Sequence, residues 1–151
     1  MKKLSLFLTI IFIVMVFFGC KADKQNNEQP VSKKQSGEII TVINEIREAN
    51  IWILPDTQAN RKTTLWGAAT LPKLELNGTG KVDYANLGRG EAYLIRIIDS
   101  EGIYYSADGV KIGSGYTLRL MNGDEPLSAV LEVTDSEGKA AGEYSLFAGK
   151  L

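Results

Sequence analysis

The run Ala92-Tyr93-Leu94-Ile95-Arg96-Ile97-Ile98-Asp99 decides the fold. It is rich in β-branched, aromatic and aliphatic residues. It lies between Gly90 and the turn Asp99-Ser100-Glu101-Gly102. Too short for a core helix and closed by turn formers, it reads as a strand. Strand side chains alternate, so Tyr93, Ile95 and Ile97 share one face while Leu94, Arg96 and Ile98 share the other. Arg96 among apolar neighbours implies a strand buried on one side and partly covered on the other.

The same grammar extends in both directions. Upstream lie the short apolar runs Ile39–Ile43, Ala49–Leu54, Lys73–Leu76 and Lys81–Leu87. Downstream lie Ile103–Ser106, Val110–Ile112, Tyr116–Met121, Ser128–Thr134 and Ala141–Ala148. Gly, Asn and Asp cut them at roughly 8–12-residue spacing, and none keeps a helical period, which argues against βαβ units. Pro55 ends the second run because it cannot donate to a ladder. The long connection Asp56 to Lys73 has room for one helical turn. Residues 38–151 are expected to form one all-β domain, a two-sheet β-sandwich, Ig-like or transthyretin-like in general form.

Ile97-Ile98-Asp99-Ser100-Glu101-Gly102 is echoed by Val133-Thr134-Asp135-Ser136-Glu137-Gly138. Since the flanks do not align, shared hairpin chemistry explains the echo better than duplication: Asp accepts from following amides and Gly takes the left-handed position.

Ahead of the domain, Lys2 and Lys3 precede an apolar run from Leu4 to Phe18. Fifteen residues rise only about 22 Å as a helix, short of the ~30 Å hydrocarbon core, so an export signal over residues 1–19 is the stronger reading and a spanning helix the weaker. The ending Phe17-Phe18-Gly19-Cys20 resembles a bacterial lipobox, with Phe17 where Leu is usual. That resemblance implies diacylglyceryl modification of Cys20, a lipoprotein anchored to a bacterial membrane and facing away from the cytoplasm. The other readings are a free thiol beside an ordinary signal-peptidase cut, or a residue of an uncleaved anchor. Cys20 is the only cysteine, so no disulfide forms within the domain. Acyl chains at ~0.8 kcal/mol per buried CH₂ make attachment through two or three of them effectively permanent.

Residues 20–37 form a polar tether, expected to be disordered and to reach ~23 Å. Four lysines against Asp23 and Glu28 give residues 21–37 a charge of +2, whereas residues 38–151 carry 11 basic and 16 acidic side chains, a net −5. An acidic domain argues against nucleic acid as a partner. The tether lysines either meet anionic headgroups or are simply solvated.

The domain also resembles small β-modules of uncharacterised function found in bacterial secreted proteins and lipoproteins. The carriers are Val42 and Asn44, Pro55, Trp66-Gly67, Leu76 and Gly78, Tyr93 with Ile95-Arg96, and Asp99 with Gly102. The resemblance spans residues 39–121 and implies a β-sandwich without catalytic residues. The Asn-Thr-Gly usual after the first strand is replaced by Asn44-Glu45-Ile46-Arg47, which leaves that loop's geometry open.

The chain has no histidine, which removes Ser-His and Cys-His nucleophiles and His-ligated zinc. No phosphate loop opens a helix. No cofactor is expected, and the domain is expected not to be an enzyme. Acidic groups remain: Asp99, Glu101 and Asp108 form a candidate Ca²⁺ set, with a solvated turn as the alternative. Adjacent Tyr104 and Tyr105 must face opposite ways in a strand. The outward one is a candidate for stacking on a sugar or peptide, or else a cross-strand pair. Trp66, among Leu65, Ala68, Ala69 and Leu71, is either a plug folded over one end of the sandwich or a recognition residue of the long loop. Two functions follow: a tethered, non-catalytic module binding a ligand, an envelope glycan or polymer, or a partner protein; or a structural accessory subunit or spacer of an envelope assembly.

Overall fold

The computed structural model describes residues 38–149; the expected signal helix, the expected tether and Cys20 lie outside them. Nine strands follow in order: β1 (Ile39–Asn44), β2 (Ala49–Pro55), β3 (Leu71–Leu74), β4 (Gly78–Asp83), β5 (Tyr93–Asp99), β6 (Tyr104–Val110), β7 (Thr117–Asn122), β8 (Ser128–Thr134) and β9 (Ala140–Phe147). One short helix, α1 (Gln58–Lys62), and a 3-10 turn, Tyr84–Leu87, interrupt them. Among the described residues no helix is long and apolar enough to cross a membrane.

The strands form two sheets, β4-β1-β7-β8-β9 and β3-β2-β5-β6. All neighbours run antiparallel except β1 and β7, which are parallel. The alternation read in the 92–99 run is real: Tyr93, Ile95 and Ile97 join Ile51, Ile53, Tyr105 and Ala107 in a core faced by Ile40, Val42, Leu118, Leu120, Leu131 and Leu146 of the other sheet. Each buried aliphatic side chain contributes about 1.5–3 kcal/mol. The inward set, not hydrogen bonding, fixes the register, because a one-residue slip would expose all of it.

Three places differ from the sequence reading by more than one residue at a strand end. The third strand is Leu71–Leu74 instead of 73–76, because Leu71 and Leu74 are its partly buried residues. The 81–87 run splits at Asp83, whose carboxylate accepts from the Ala85 amide and starts the 3-10 turn. The runs 103–106 and 110–112 are largely one strand, β6. Asp108-Gly109, which falls in the break between those two runs, is a bulge within the strand: Tyr93 pairs with Val110 but Ile95 with Ala107, and Gly109 has φ 69°.

The two echoed hairpins are built alike. Asp99 Oδ1 accepts from Glu101 N and Ile103 N, and Asp135 Oδ1 from Glu137 N and Lys139 N. Gly102 and Gly138 sit at φ 79° and 80°. Local turn chemistry is sufficient reason for the repeat.

Buried Asn44 settles the geometry of the loop after β1. It is 0% exposed. Its Nδ2 donates to the carbonyls of Arg47, Leu74 (2.8 Å) and Glu75 (3.1 Å), and its Oδ1 accepts from Ile46 N. Its own carbonyl accepts from Asn77 N at 2.6 Å. One side chain thus holds the β1–β2 turn against the corner where the chain passes from β3 into β4. The opposite seam is closed by a bridge between Tyr104 and Gly149, with Gly149 N donating to Tyr104 O at 2.9 Å.

Candidate recognition site on the outer face of the second sheet

On the outer face of the four-stranded sheet, Trp52 pairs with Arg96, which pairs with Ser106, and Ile98 pairs with Tyr104. The loop 56–70 leaves β2 after Pro55 and returns to the same sheet at β3. Several bonds hold it down. Thr57 caps α1 by accepting from Asn60 N, and Asn60 Nδ2 donates to Pro55 O at 2.8 Å. The Trp52 indole N–H donates to Gly67 O at 3.1 Å, and Ile53 N donates to Thr70 Oγ1 at 3.0 Å.

Trp66 is the centre of this attachment. Its ring meets Trp52 edge-on with centroids 5.4 Å apart and stacks on Tyr104 at 5.6 Å, 18° between planes. Trp52 and Tyr104 sit on the strands flanking β5, so Trp66 bridges β5. Its own indole N–H donates to Thr63 O at 2.8 Å. One face of Trp66 is therefore covered by Tyr104, and both indole N–H groups are spent on main-chain carbonyls. The rings clasp the loop, and the loop tip is what is presented. Leu65 there is 87% exposed, with Thr64, Gly67 and Ala68 exposed beside it.

Charged groups line the other side of the loop. Asp56 accepts from Arg61 Nε and, at 2.6 Å, from Arg61 Nη2, and its Oδ2 also takes Gly109 N, freed by the β6 bulge, at 3.1 Å. The hydrogen bond from Arg61 holds the Asp56 carboxyl below the ordinary carboxylate value, against burial, which acts the other way. Arg96, only 5% exposed, is more covered than its sequence context implied. Its guanidinium donates to Ala107 O at 3.2 Å and Asp108 Oδ1 at 2.7 Å. A satisfied arginine can lie under a loop; an unpaired one would cost several kcal/mol.

Trp66 and Tyr104 thus come together. Trp66 is not a plug over the end of the sandwich: it lies half-buried on a sheet face, although its loop is packed as the plug reading required. Tyr105 is corrected to the core. It is the inward member of the pair, 4% exposed, so it has no surface with which to bind a ligand. The Ca²⁺ set does not assemble. Asp99 and Glu101 both face Arg47 at 3.2 Å, while Asp108, toward the other end of β6, pairs with Arg96. The turn amides also occupy Asp99, and among the described residues no three acidic, Cys or His groups are placed for a metal. Cys20, the lipidation candidate, lies outside the described residues. Sequence reading missed Trp52 and Leu65. Alternation in Ala49–Leu54, with Ile51 and Ile53 inward, was the signal for an outward Trp52.

An open groove of about 420 Å³ near the Pro55 end, lined by Thr70, Lys81, Asp83 and Asn86 over Ile53 and Leu87, contains none of the three clasp rings. No family model matches this chain, and neither a curated protein nor a solved structure matches it.

Proposed function

We propose that the chain is a lipid-anchored extracytoplasmic protein, held to a bacterial membrane through Cys20, whose non-catalytic β-sandwich binds an envelope component through the loop tip around Leu65. The component is a ligand, an envelope polymer or glycan, or a partner protein. The observation that carries this reading is the clasp. An apolar residue on a loop fixed by Trp52, Trp66 and Tyr104 is held ready for contact, so little ordering cost remains on binding. The likeness to secreted β-modules supports the same placement. Strand order supports the transthyretin-like form over the Ig-like one, because β1 and β2 lie in different sheets, whereas Ig constant domains keep their first two strands together.

The alternative, a structural subunit or spacer, draws on a second exposed apolar pair, Leu127 (58%) and Phe147 (60%), close together where β8 begins and β9 ends.

Two measurements test the proposal. Cys20→Ser should abolish lipid labelling and release the protein or leave it unprocessed; unchanged detergent partitioning would refute the anchor. A photo-crosslinking residue at position 65 of the full chain should give adducts in intact envelopes, whereas the same residue at Leu127 should not. Adducts from 127 alone would transfer the case to the structural reading.

A further inference from the structure

We infer that the component met by the Leu65 loop is the anionic surface of the membrane itself, so that the domain lies with its four-stranded sheet toward the bilayer. The inference rests on the contact role proposed for that loop and names its ligand as acidic phospholipid headgroups. Three observations support it.

The first is charge. Residues 38–151 carry a net −5, yet residues 57–73 contain Arg61, Lys62 and Lys73 and no acidic residue at all. Arg61 is tied to Asp56, while Lys62 and Lys73 are exposed on the loop and the adjoining edge strand. The longest stretch of this acidic domain that carries only basic charges therefore coincides with its most exposed leucine. Lysines beside an anionic leaflet are attracted within a Debye length, a range that includes side chains on a docked loop.

The second is the apolar content of the tip. Leu65 projects fully, Thr63, Thr64, Ala68 and Ala69 are small, and Trp66 sits half-exposed just behind. A single aliphatic side chain backed by an indole and flanked by cations matches the chemistry of the interface, where Trp is enriched and Lys reaches the headgroups. A protein pocket would ordinarily demand a wider apolar patch with a polar rim.

The third is distance along the chain. Seventeen residues, 21–37, separate the anchor proposed at Cys20 from Glu38. Tethering makes docking intramolecular, so a contact far too weak to hold a free protein still becomes populated.

Both tryptophans of the chain, Trp52 and Trp66, lie on this face, so its emission reports the site without background. The lipidated full chain is reconstituted in vesicles containing phosphatidylglycerol, with and without brominated acyl chains, and in phosphatidylcholine vesicles as control. The expected result is loss of tryptophan emission with the brominated lipid in anionic vesicles. That loss should be reversed by high salt, by Leu65→Ser and by Lys62→Glu, both exposed substitutions that leave the far-UV spectrum unchanged. Equal emission from brominated and plain anionic vesicles overturns the inference. If position 65 then still crosslinks to a protein or glycan, the contact role stands and only its ligand was wrong. If it crosslinks to nothing, both fall.

Discussion

The ring of Trp66, from a loop, lies nearly parallel to that of Tyr104, from the first position of β6, with centroids 5.6 Å apart. Tyr104 is also where β6 bridges to Gly149 beyond β9. The loop clasp and the seam between the two sheets therefore share one residue, and a change at Tyr104 should be felt at both.

Stability should reflect that sharing. Trp66 is half-buried, so Trp66→Ala should cost about 2 kcal/mol, below the ~3–5 kcal/mol of a fully buried Trp or Phe. The urea midpoint should fall with the slope unchanged. Tyr104→Ala should cost a similar amount, and the double variant less than the sum by the ~0.5–1.5 kcal/mol typical of an aromatic pair. Strict additivity would mean that the stack contributes nothing.

Asn44 makes a stronger claim. Its Nδ2 donates to the Arg47, Leu74 and Glu75 carbonyls, and of these Glu75 O keeps a second donor, Gly78 N at 2.9 Å. Each carbonyl left unsatisfied in a buried place costs ~1–3 kcal/mol. Asn44→Ala should thus remove about 3 kcal/mol or more of stability, and Asn44→Asp more still, because a buried carboxylate would face carbonyl oxygens. A loss under about 1 kcal/mol for the Ala variant, read from urea unfolding, would show that water replaces the amide without penalty.

Local chemistry was legible in the sequence; long-range pairing was not. β5 could be read from its alternation, and the Asp99 and Asp135 hairpins from Asp-x-x-Gly. Asp108-Gly109 fell in a break between two runs because a left-handed glycine serves turns and bulges alike, and only pairing with β5 distinguishes them. Tyr104 and Tyr105 could be assigned to opposite faces, but which faced inward depends on the neighbour strand, where Tyr105 lies opposite Ile97. Trp66 could be placed in a packed loop. That it packs on a face, and not over an end, follows from Trp52 and Tyr104, which lie far from it in sequence. The Ca²⁺ set did not assemble for a similar reason: Arg47, from the β1–β2 turn, and Arg96, from the neighbouring strand β5, reach carboxylate partners that no spacing reveals.

Tyr93 gives an alkaline prediction. Its ring is 1% exposed, its hydroxyl donates to Gly88 O at 3.1 Å, and Tyr84 lies against it. Burial first, then the hydrogen bond with Tyr84, pushes its pKa up to about 12. An acid whose folded pKa is raised stabilises the fold below its ordinary value of 10 and loses that contribution as pH rises toward 12. Burial raises Tyr105 as well. Of the six tyrosines, these two should ionise late and together with loss of the fold, seen as a delayed step in tyrosinate absorbance. Smooth ionisation of all six while the far-UV spectrum stays native would contradict their burial.

Asp56 gives the acid counterpart, and it should act on the loop before the core. Its side chain is 7% exposed and holds both Arg61 and the bulge amide of Gly109. The hydrogen bond from Arg61 lowers its pKa beneath the ordinary 3.8. A depressed folded pKa means that the stabilisation is complete above pH 3.8 and is lost as pH falls through the lower, folded value. Asp135 is lowered too, by the amides of its own hairpin, but that turn has no tryptophan to report it. Acidification should therefore change tryptophan emission, from Trp52 and Trp66, at a higher pH than it changes the β-sheet signal in the far-UV. Asp56→Asn keeps an oxygen for Gly109 but gives up the charge that binds Arg61. Its loop should be looser at neutral pH, and its emission should lack the acid step. If the variant keeps the same acid step, or if emission and sheet signal fall together in the parent chain, the Asp56–Arg61 pair is not what fastens the loop to the sheet.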